Sequence, residues 1–232
     1  MAGVTTRSEA PAFAAVVPDV GLAARKYVTE FIGAFFLTFA VATAALTGSA
    51  FVPLAAGATL MVMVYAGGHI SGGHYNPAVT MAALVRGRIG IVDAVGYWIF
   101  QAVAGVVAGV IARAVVNPAA VKTLTLSGHI EAAAAVVEVL ATFALCYVVL
   151  NVATSKDQPG NGFFGLAIGF TVAAMAFAVG AISGGVFNPQ VALGGATAGL
   201  FAWSTIWVYI VVELGGGVAA GLVFRALNPT DK

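Results

Sequence analysis

The chain has 232 residues, of which 61% are hydrophobic and only 8% are charged, and its mean hydropathy is +1.01. Water-soluble domains carry about 25% charged residues, so this composition excludes a soluble globular protein and makes the lipid bilayer the first partner. The net charge of +1, without a long run of one sign, gives no support for a nucleic-acid partner, and the single cysteine, Cys146, excludes an intrachain disulfide.

Six apolar segments follow a polar N-terminal stretch. Residues 1–24 contain two prolines and several charged side chains, and they are too interrupted to span a membrane, so they predict a flexible cytoplasmic tail. Residues 229–232 form the C-terminal end. A spanning helix needs about 20 mostly apolar residues. The sequence therefore predicts an all-α membrane protein with spans over residues 26–47, 53–68, 93–113, 131–153, 162–181 and 204–226.

The basic residues are divided unequally between the two sides of these spans. When the loops are assigned alternately to the two sides, one side holds only Arg113 and Lys122, and the other holds the remaining eight of the ten Lys and Arg residues. Cytoplasmic loops carry the excess of positive charge. Both termini are therefore predicted to be cytoplasmic, and six crossings satisfy that requirement.

Two further segments are predicted to enter the membrane only halfway. Residues 70–86 are too apolar for an exposed loop and too short to cross the bilayer and return. Asn76 is a preferred N-cap and Pro77 suits the first helical position, which predicts a helix over residues 77–86. Ten residues measure ~15 Å, about half of a ~30 Å hydrocarbon core. Asn188 and Pro189 begin a second such helix, which is predicted to run to about residue 198.

The two half-helices are predicted to meet at the midplane of the membrane, each with its positive N-terminal end. The asparagine side-chain oxygens are used in capping, so their NH2 groups are expected to be free to bind a passing molecule. Irregular backbone over residues 70–75 and 182–187 is tolerated at this depth only where it lines a wet cavity. Its carbonyl oxygens can then replace the hydrogen bonds of a permeating molecule.

The two halves of the chain repeat one another. Glu30 aligns with Glu138, and Gln101 aligns with Glu213. The re-entrant segments match at an offset of 112 residues, as Ile70-Ser71-Gly72-Gly73-His74-Tyr75-Asn76-Pro77 and Ile182-Ser183-Gly184-Gly185-Val186-Phe187-Asn188-Pro189. Because each half holds three spans, an odd number, the two copies must be inverted relative to each other, as in channels and transporters.

These motifs resemble the aquaporin (major intrinsic protein) family over about residues 25–228. The resemblance implies an inverted-repeat bundle of six transmembrane helices plus two re-entrant half-helices, with a first repeat over about 25–116 and a second over about 130–228. It also implies one pore per subunit, a homotetramer, a plasma (inner) membrane location, and neither cofactor, metal nor catalysis. Glu30 and Glu138 are expected to brace the two re-entrant loops by accepting their backbone N–H groups.

The resemblance assigns two sets of pore residues. The midplane is expected at Asn76, Pro77, Ala78, Asn188, Pro189 and Gln190. The pore-lining carbonyl groups are expected at Gly72, Gly73, His74, Tyr75, Gly184 and Val186.

The second motif departs from the family pattern. Most members have Ala and then Arg after this Asn-Pro, whereas this chain has Gln190 and Val191. Spacing from the two asparagines assigns the rest of the outer constriction to Ala56, Ala176 and Gly185. Narrow water channels of the family place large side chains at these positions, so a wide, apolar mouth is expected. Gln190 is larger than Ala where the half-helices touch, and the sequence does not indicate how it is accommodated.

The leading functional prediction is a passive channel for water and small neutral solutes such as glycerol, urea, ammonia or hydrogen peroxide. Glu213 lies within a predicted span, and an ionisable residue there leaves open a proton- or ion-coupled secondary transporter. A non-conducting membrane scaffold is a third alternative. Asn117-Pro118 and Asn228-Pro229 lack the Gly-rich approach segment and are interpreted as ordinary loop positions.

Overall fold

The computed structural model describes residues 21–231, and eight α-helices account for most of them. The helices are α1 (Leu22–Leu46), α2 (Val52–Ser71), α3 (Pro77–Arg86), α4 (Ile91–Val116), α5 (His129–Thr154), α6 (Phe164–Ser183), α7 (Pro189–Ala198) and α8 (Ile206–Leu227), the last preceded by a 3-10 turn, Trp203–Thr205. The predicted tail lies outside the described residues except at its end. α1 begins at Leu22, three residues before the predicted start of the channel domain at residue 25.

Six of the described helices are long and apolar enough to cross a membrane. They are α1, α2, α4, α5, α6 and α8, and each overlaps one of the six predicted spans. Their outward faces carry large apolar side chains, such as Phe36 on α1 and Trp207 on α8, which are 46% and 57% exposed. In a soluble protein such faces would be unpartnered, whereas here they meet lipid or another membrane protein.

The packing of the helices repeats the internal symmetry of the sequence. α1 packs against α4 in the first half as α5 packs against α8 in the second, and α2 meets α6 across the symmetry axis. The half-helices cross over, because α3 packs on α8 and α7 packs on α4. A Cβ on Gly217 of α8 would overlap the Ala78 carbonyl oxygen, and one on Gly105 of α4 would overlap that of Gln190. Small residues on α4 and α8 thus let the half-helices approach closely.

The half-helices begin and end where the sequence predicts. Asn76 and Asn188 are extended N-caps, and the helices end at Arg86 and Ala198, each followed by a glycine in the left-handed conformation. The irregular backbone before them is shorter than predicted. α2 continues to Ser71 and α6 to Ser183, so within the predicted irregular stretches only residues 72–75 and 184–187 are non-helical. Gly72 and Gly184 end these helices at φ 90° and 94°, which a residue with a Cβ rarely adopts.

Candidate pore and its two re-entrant loops

Each asparagine of the Asn-Pro motifs is held by both ends of its side chain. Asn76 Oδ1 accepts the N–H of Ala78 at 2.8 Å, and Asn188 Oδ1 accepts that of Gln190 at 3.2 Å. Asn76 Nδ2 donates to the carbonyl oxygen of Phe187 at 2.8 Å, and Asn188 Nδ2 donates to that of Tyr75 at 2.9 Å. The prediction of a free NH2 group is therefore corrected. One of its two hydrogens ties the half-helices together, and only the other can bind a passing molecule.

The residue before each asparagine has a left-handed backbone. Tyr75 has φ 46° and Phe187 has φ 50°, although both carry bulky side chains. Such a conformation costs of order 1–3 kcal/mol and needs surrounding structure to hold it. The left-handed backbone turns the carbonyl groups of Tyr75 and Phe187 towards the opposite half-helix, where Asn188 and Asn76, respectively, donate to them.

The predicted role of the Tyr75 carbonyl oxygen is wrong. This oxygen accepts from Asn188 Nδ2 at 2.9 Å and from Gln190 Nε2 at 3.3 Å. A carbonyl oxygen has two lone pairs, so no acceptor capacity remains for a solute. Two of the other predicted carbonyl positions, Gly72 and His74, border a cavity of about 600 Å³ on one side of the midplane. Val186 borders a cavity of about 20 Å³ on the other side. Gly73 borders neither of these cavities, and Gly184 borders a third, apolar one.

Glu30 of α1 makes the contacts expected of a residue that braces the first loop. It is fully buried. Its carboxylate accepts the backbone N–H groups of His74 at 2.9 Å and Tyr75 at 2.7 Å, the hydroxyl of Ser71 at 2.7 Å, and Gln101 Nε2 at 2.9 Å. Four donors on one carboxylate compensate for its burial in an apolar environment.

Glu138 of α5 holds the second loop in the same way. It accepts the N–H groups of Val186 at 3.0 Å and Phe187 at 2.8 Å, together with the hydroxyl of Ser183. A tyrosine completes each arrangement, since Tyr97 donates to the Ser71 carbonyl oxygen and Tyr209 donates to that of Ser183. The serines and tyrosines were missed at the sequence level, although the offset of 112 residues relates each pair.

Gln190 is directed into the helix bundle and away from the pore. Its Oε1 accepts the hydroxyl of Thr38 on α1 at 2.8 Å, and its Nε2 donates to the Tyr75 carbonyl oxygen. Its carbonyl group packs against Gly105 of α4. A polar side chain larger than alanine is thus accommodated because Thr38 and Gly105 give it a hydrogen bond and space. Pro77, Ala78 and Pro189 are likewise buried without bordering the cavities described here.

A narrow cavity runs from the midplane towards one mouth. Its volume is about 20 Å³, and Asn76 and Asn188 border it together with Ala56, Gly185 and Val191. This volume holds about one water molecule. Ala176 does not border it, but packs against the backbone of Gly185. Small residues alone do not make this section wide, because apolar neighbours fill the space: Leu37, Val41, Leu60, Leu145, Val172, Val186 and Phe187.

A second, apolar cavity of about 180 Å³ lies beside this mouth. Val191 and Val41 border both cavities, and Val52, Leu124 and Phe201 close the outer part of the larger one. Leu124 and Phe201 belong to the loops before α5 and α8, which pair through a short parallel bridge. We call this end of the pore the apolar mouth, defined by Val52, Leu124, Val191 and Phe201.

The opposite end of the pore opens into a cavity of about 600 Å³. Lys26, Arg88, Asp93 and Lys156 border it, and we call it the basic mouth. His74 also borders this cavity, and its Nδ1 lies 3.0 Å from Thr80 Oγ1, so it has a hydrogen-bonding partner within the first half-helix. The four basic-mouth residues all lie on the side that the loop charges assign to the cytoplasm.

A buried ion pair fixes the chain next to the basic mouth. Arg86, the last residue of α3, donates to Asp231 Oδ1 at 2.7 Å and stacks on Phe224 at 4.3 Å. Asp231 Oδ2 accepts the backbone N–H of Lys156 at 2.9 Å. The Lys156 N–H and the guanidinium of Arg86 hold the pKa of the Asp231 carboxyl below its usual range. The half-helix, the α5–α6 loop and the C-terminal segment thereby become one unit.

Known proteins resemble this chain over most of its length. The sequence model of the family described as Major intrinsic protein matches residues 16–224. Glycerol uptake facilitator protein-like 6 of Lactiplantibacillus plantarum is 38% identical over 217 residues, which cover 89% of this chain and all of that protein. Aquaporin TIP1-1 of Arabidopsis thaliana is 41% identical over 180 residues, 75% of this chain and 70% of that protein.

The solved structures add a likeness in fold. The X-ray structure of the aquaglyceroporin from Plasmodium falciparum superposes with a TM-score of 0.74, covering 89% of this chain and 98% of that chain, at 20% sequence identity. At that identity the likeness speaks for the fold alone. The family match and the curated relatives each cover most of the sequence, and the chain therefore belongs to the major intrinsic protein family.

Proposed function

We propose that this channel passes small neutral solutes larger than water, such as glycerol or urea, and that its apolar mouth admits them. The chain is a passive channel for water and small solutes. The observation that supports the finer proposal is the lining of the outer section, where Ala56, Gly185 and Val191 replace charge and bulk with small apolar groups. A relative named as a glycerol uptake facilitator-like protein gives independent support.

The apolar mouth suits a molecule with both alkyl and polar groups. The carbon backbone of glycerol can lie against Val191, Val41 and the adjoining cavity of about 180 Å³. Val191 carries no guanidinium that would bind the hydroxyl groups in competition with the asparagines at the midplane. The remaining hydrogen of each asparagine NH2 group can then bind a hydroxyl at the midplane. The section of about 20 Å³ holds one water at a time, so a larger solute must widen it by movement of its aliphatic side chains.

Charge exclusion is assigned to the midplane. Both half-helices direct their positive N-terminal ends there, and both asparagines present donors without an acceptor facing the pore. Ammonia and hydrogen peroxide, which are small and neutral, meet the same conditions. No chemical step is proposed, since passive flow needs none.

We also propose a homotetramer with both ends of the chain on the cytoplasmic side of the plasma (inner) membrane. The loop charges support the orientation, because the basic mouth gathers Lys26, Arg88 and Lys156 on one side. The large exposed apolar faces of α1, α2 and α5 support contacts with other subunits as well as with lipid. Native mass spectrometry and protease protection of sealed vesicles test the two statements separately.

The solute proposal is tested in proteoliposomes by stopped-flow light scattering with water, glycerol and urea gradients. Val191→Arg is expected to lower glycerol and urea flux about tenfold or more while water flux stays within about twofold of the parent, since a fixed charge and added bulk narrow the section. Val191→Met has similar length without charge and serves as the control for bulk. Ala56→Phe, added to Val191→Arg, should strengthen the effect because both positions border the same cavity.

Three results would contradict this function. A parent channel that conducts water but excludes glycerol and urea refutes the solute proposal. Flux that depends on a proton gradient would instead indicate the coupled transporter. A purified, reconstituted protein without osmotic water permeability would indicate the scaffold.

A further inference from the structure

Glu213 is a buried carboxyl group that the pore described above does not use. It lies in the middle of α8 with no exposed surface, and neither of its oxygens has a hydrogen-bond donor among the described residues. A charged carboxylate without donors is costly in the interior of a membrane protein. The group therefore needs either a positive partner or a proton.

The neighbours of Glu213 supply no positive charge. It lies close to Glu138 of α5, the carboxylate that holds the second re-entrant loop, as Gln101 lies close to Glu30 in the first repeat. The other titratable groups that face it in the described structure are Cys146 of α5 and Tyr209 of α8. The Tyr209 hydroxyl is already used, because it donates to the Ser183 carbonyl oxygen at 2.6 Å. No backbone N–H among the described residues donates to Glu213.

The first repeat shows what this position does in its polar, uncharged form. Gln101 occupies the matching place on α4, and its Nε2 donates to Glu30 Oε2 at 2.9 Å and to Thr80 Oγ1 at 3.1 Å. In the second repeat the residues at the same offset of 112 are Glu213 and Ala192. Glu138 thus lacks the amide donor that Glu30 has. A donor can come from this position only if Glu213 carries a hydrogen.

We infer that Glu213 is a protonated, neutral carboxylic acid that donates a hydrogen bond to Glu138 and so positions the second re-entrant loop. The proton belongs on Glu213, because Glu138 accepts from Ser183, Val186 and Phe187, and these three donors stabilise its charged form. The pair then carries a single negative charge, as Glu30 with Gln101 does. Glu213 is a positioning residue, and it acts on the pore only through Glu138.

This inference predicts different outcomes for two substitutions. Glu213→Gln keeps a donor and reproduces the Gln101 arrangement, so its unfolding temperature at neutral pH should equal or exceed that of the parent. Glu213→Leu removes the donor from a charged acceptor and should lower the unfolding temperature by about 4 to 8 °C. Because the folded parent keeps a proton that the unfolded chain releases, its stability should fall as the pH rises above the ordinary carboxyl range, whereas that of Glu213→Gln should fall distinctly less.

Infrared spectroscopy of the purified parent observes the proton directly. A carbonyl band of a protonated carboxyl group is expected at neutral pH and should disappear in Glu213→Gln. Glu131→Gln, at a partly exposed carboxyl group at the start of α5, is the matched control and should leave the band unchanged.

The inference is overturned if the parent lacks this band, or if Glu213→Gln is destabilised as much as Glu213→Leu. It is also overturned if parent and Glu213→Gln lose stability equally at alkaline pH. Should Glu213→Leu fail to fold, the comparison of parent with Glu213→Gln still decides. None of these measurements uses solute flux, so failure of the proposed solute range leaves the result intact.

Discussion

Removing the charge of Glu30 should destabilise the folded channel more than it changes selectivity. Its Oε1 accepts from Ser71 and His74, and its Oε2 accepts from Tyr75 and Gln101. In Glu30→Gln an NH2 group replaces one oxygen. Ser71 or Gln101 can turn to accept from it, but the backbone N–H on that side cannot. One hydrogen bond to a charged acceptor is therefore lost, at a cost of about 1.5–3 kcal/mol, against a typical stability of about 5–15 kcal/mol.

The measurement is the fraction of protein recovered as folded oligomer in detergent, together with thermal unfolding followed by tryptophan fluorescence. Glu131→Gln makes the same chemical change at a partly exposed position and is the control. Water flux per folded channel should stay near that of the parent. The reasoning is refuted if Glu30→Gln unfolds within about 0.5 kcal/mol of the control, the range of ordinary surface substitutions. Normal recovery with an altered pH dependence of flux would point to proton handling.

The remaining predictions concern the midplane and the basic mouth. Asn76→Asp and Asn188→Asp should each lower water flux about tenfold and raise cation leakage. The reason is that a carboxylate has no NH2 donor and places a negative charge beside the half-helix ends. Equal flux and leakage in mutant and parent liposomes would refute this. The lowered pKa of Asp231 means that its ion pair stabilises the fold above the usual carboxyl pKa of 3.8 and is lost as the pH falls through the lowered value. Unfolding temperature should therefore fall on acidification less in Asp231→Asn than in the parent, with Asp157→Asn, at an exposed carboxyl group, as the control.

The half-helices could be predicted to the residue because their ends are local. Pro77 and Pro189 suit the first helical position, the preceding asparagines cap the helix, and Gly87 and Gly199 adopt the left-handed conformation that ends it. Nothing beyond neighbouring residues is needed for those features.

The predicted end of α2 is too early because this end depends on contacts with residues outside the helix. Gly67 and Gly68 are weak helix formers, yet packing of Gly67 against Tyr75 and Thr29 keeps the helix intact to Ser71.

The features that the sequence does not predict depend on contacts between segments that are far apart in the chain. The bond from Asn76 to the Phe187 carbonyl oxygen joins residues 111 positions apart, and no spacing rule indicates that a donor is already used. Gln190 depends on Thr38, which lies 152 positions away. Tertiary packing decides these positions.

The two halves of the pore differ in the polar side chains at their matched positions, and this difference bears on selectivity. His74 and Thr80 contact each other beside the basic mouth, and the positions 112 residues later are Val186 and Ala192, which carry no polar side chain. The backbone support is nevertheless the same in both loops, because Glu30 and Glu138 hold equivalent N–H groups. The residues that hold the backbone N–H groups can thus keep the fold while the side chains along the pore change. A solute that enters from the basic mouth meets side-chain hydrogen-bonding groups before the midplane, and after it meets mainly aliphatic side chains and backbone. Substitutions such as Val191→Arg therefore test the side-chain set without disturbing the scaffold that positions the asparagines.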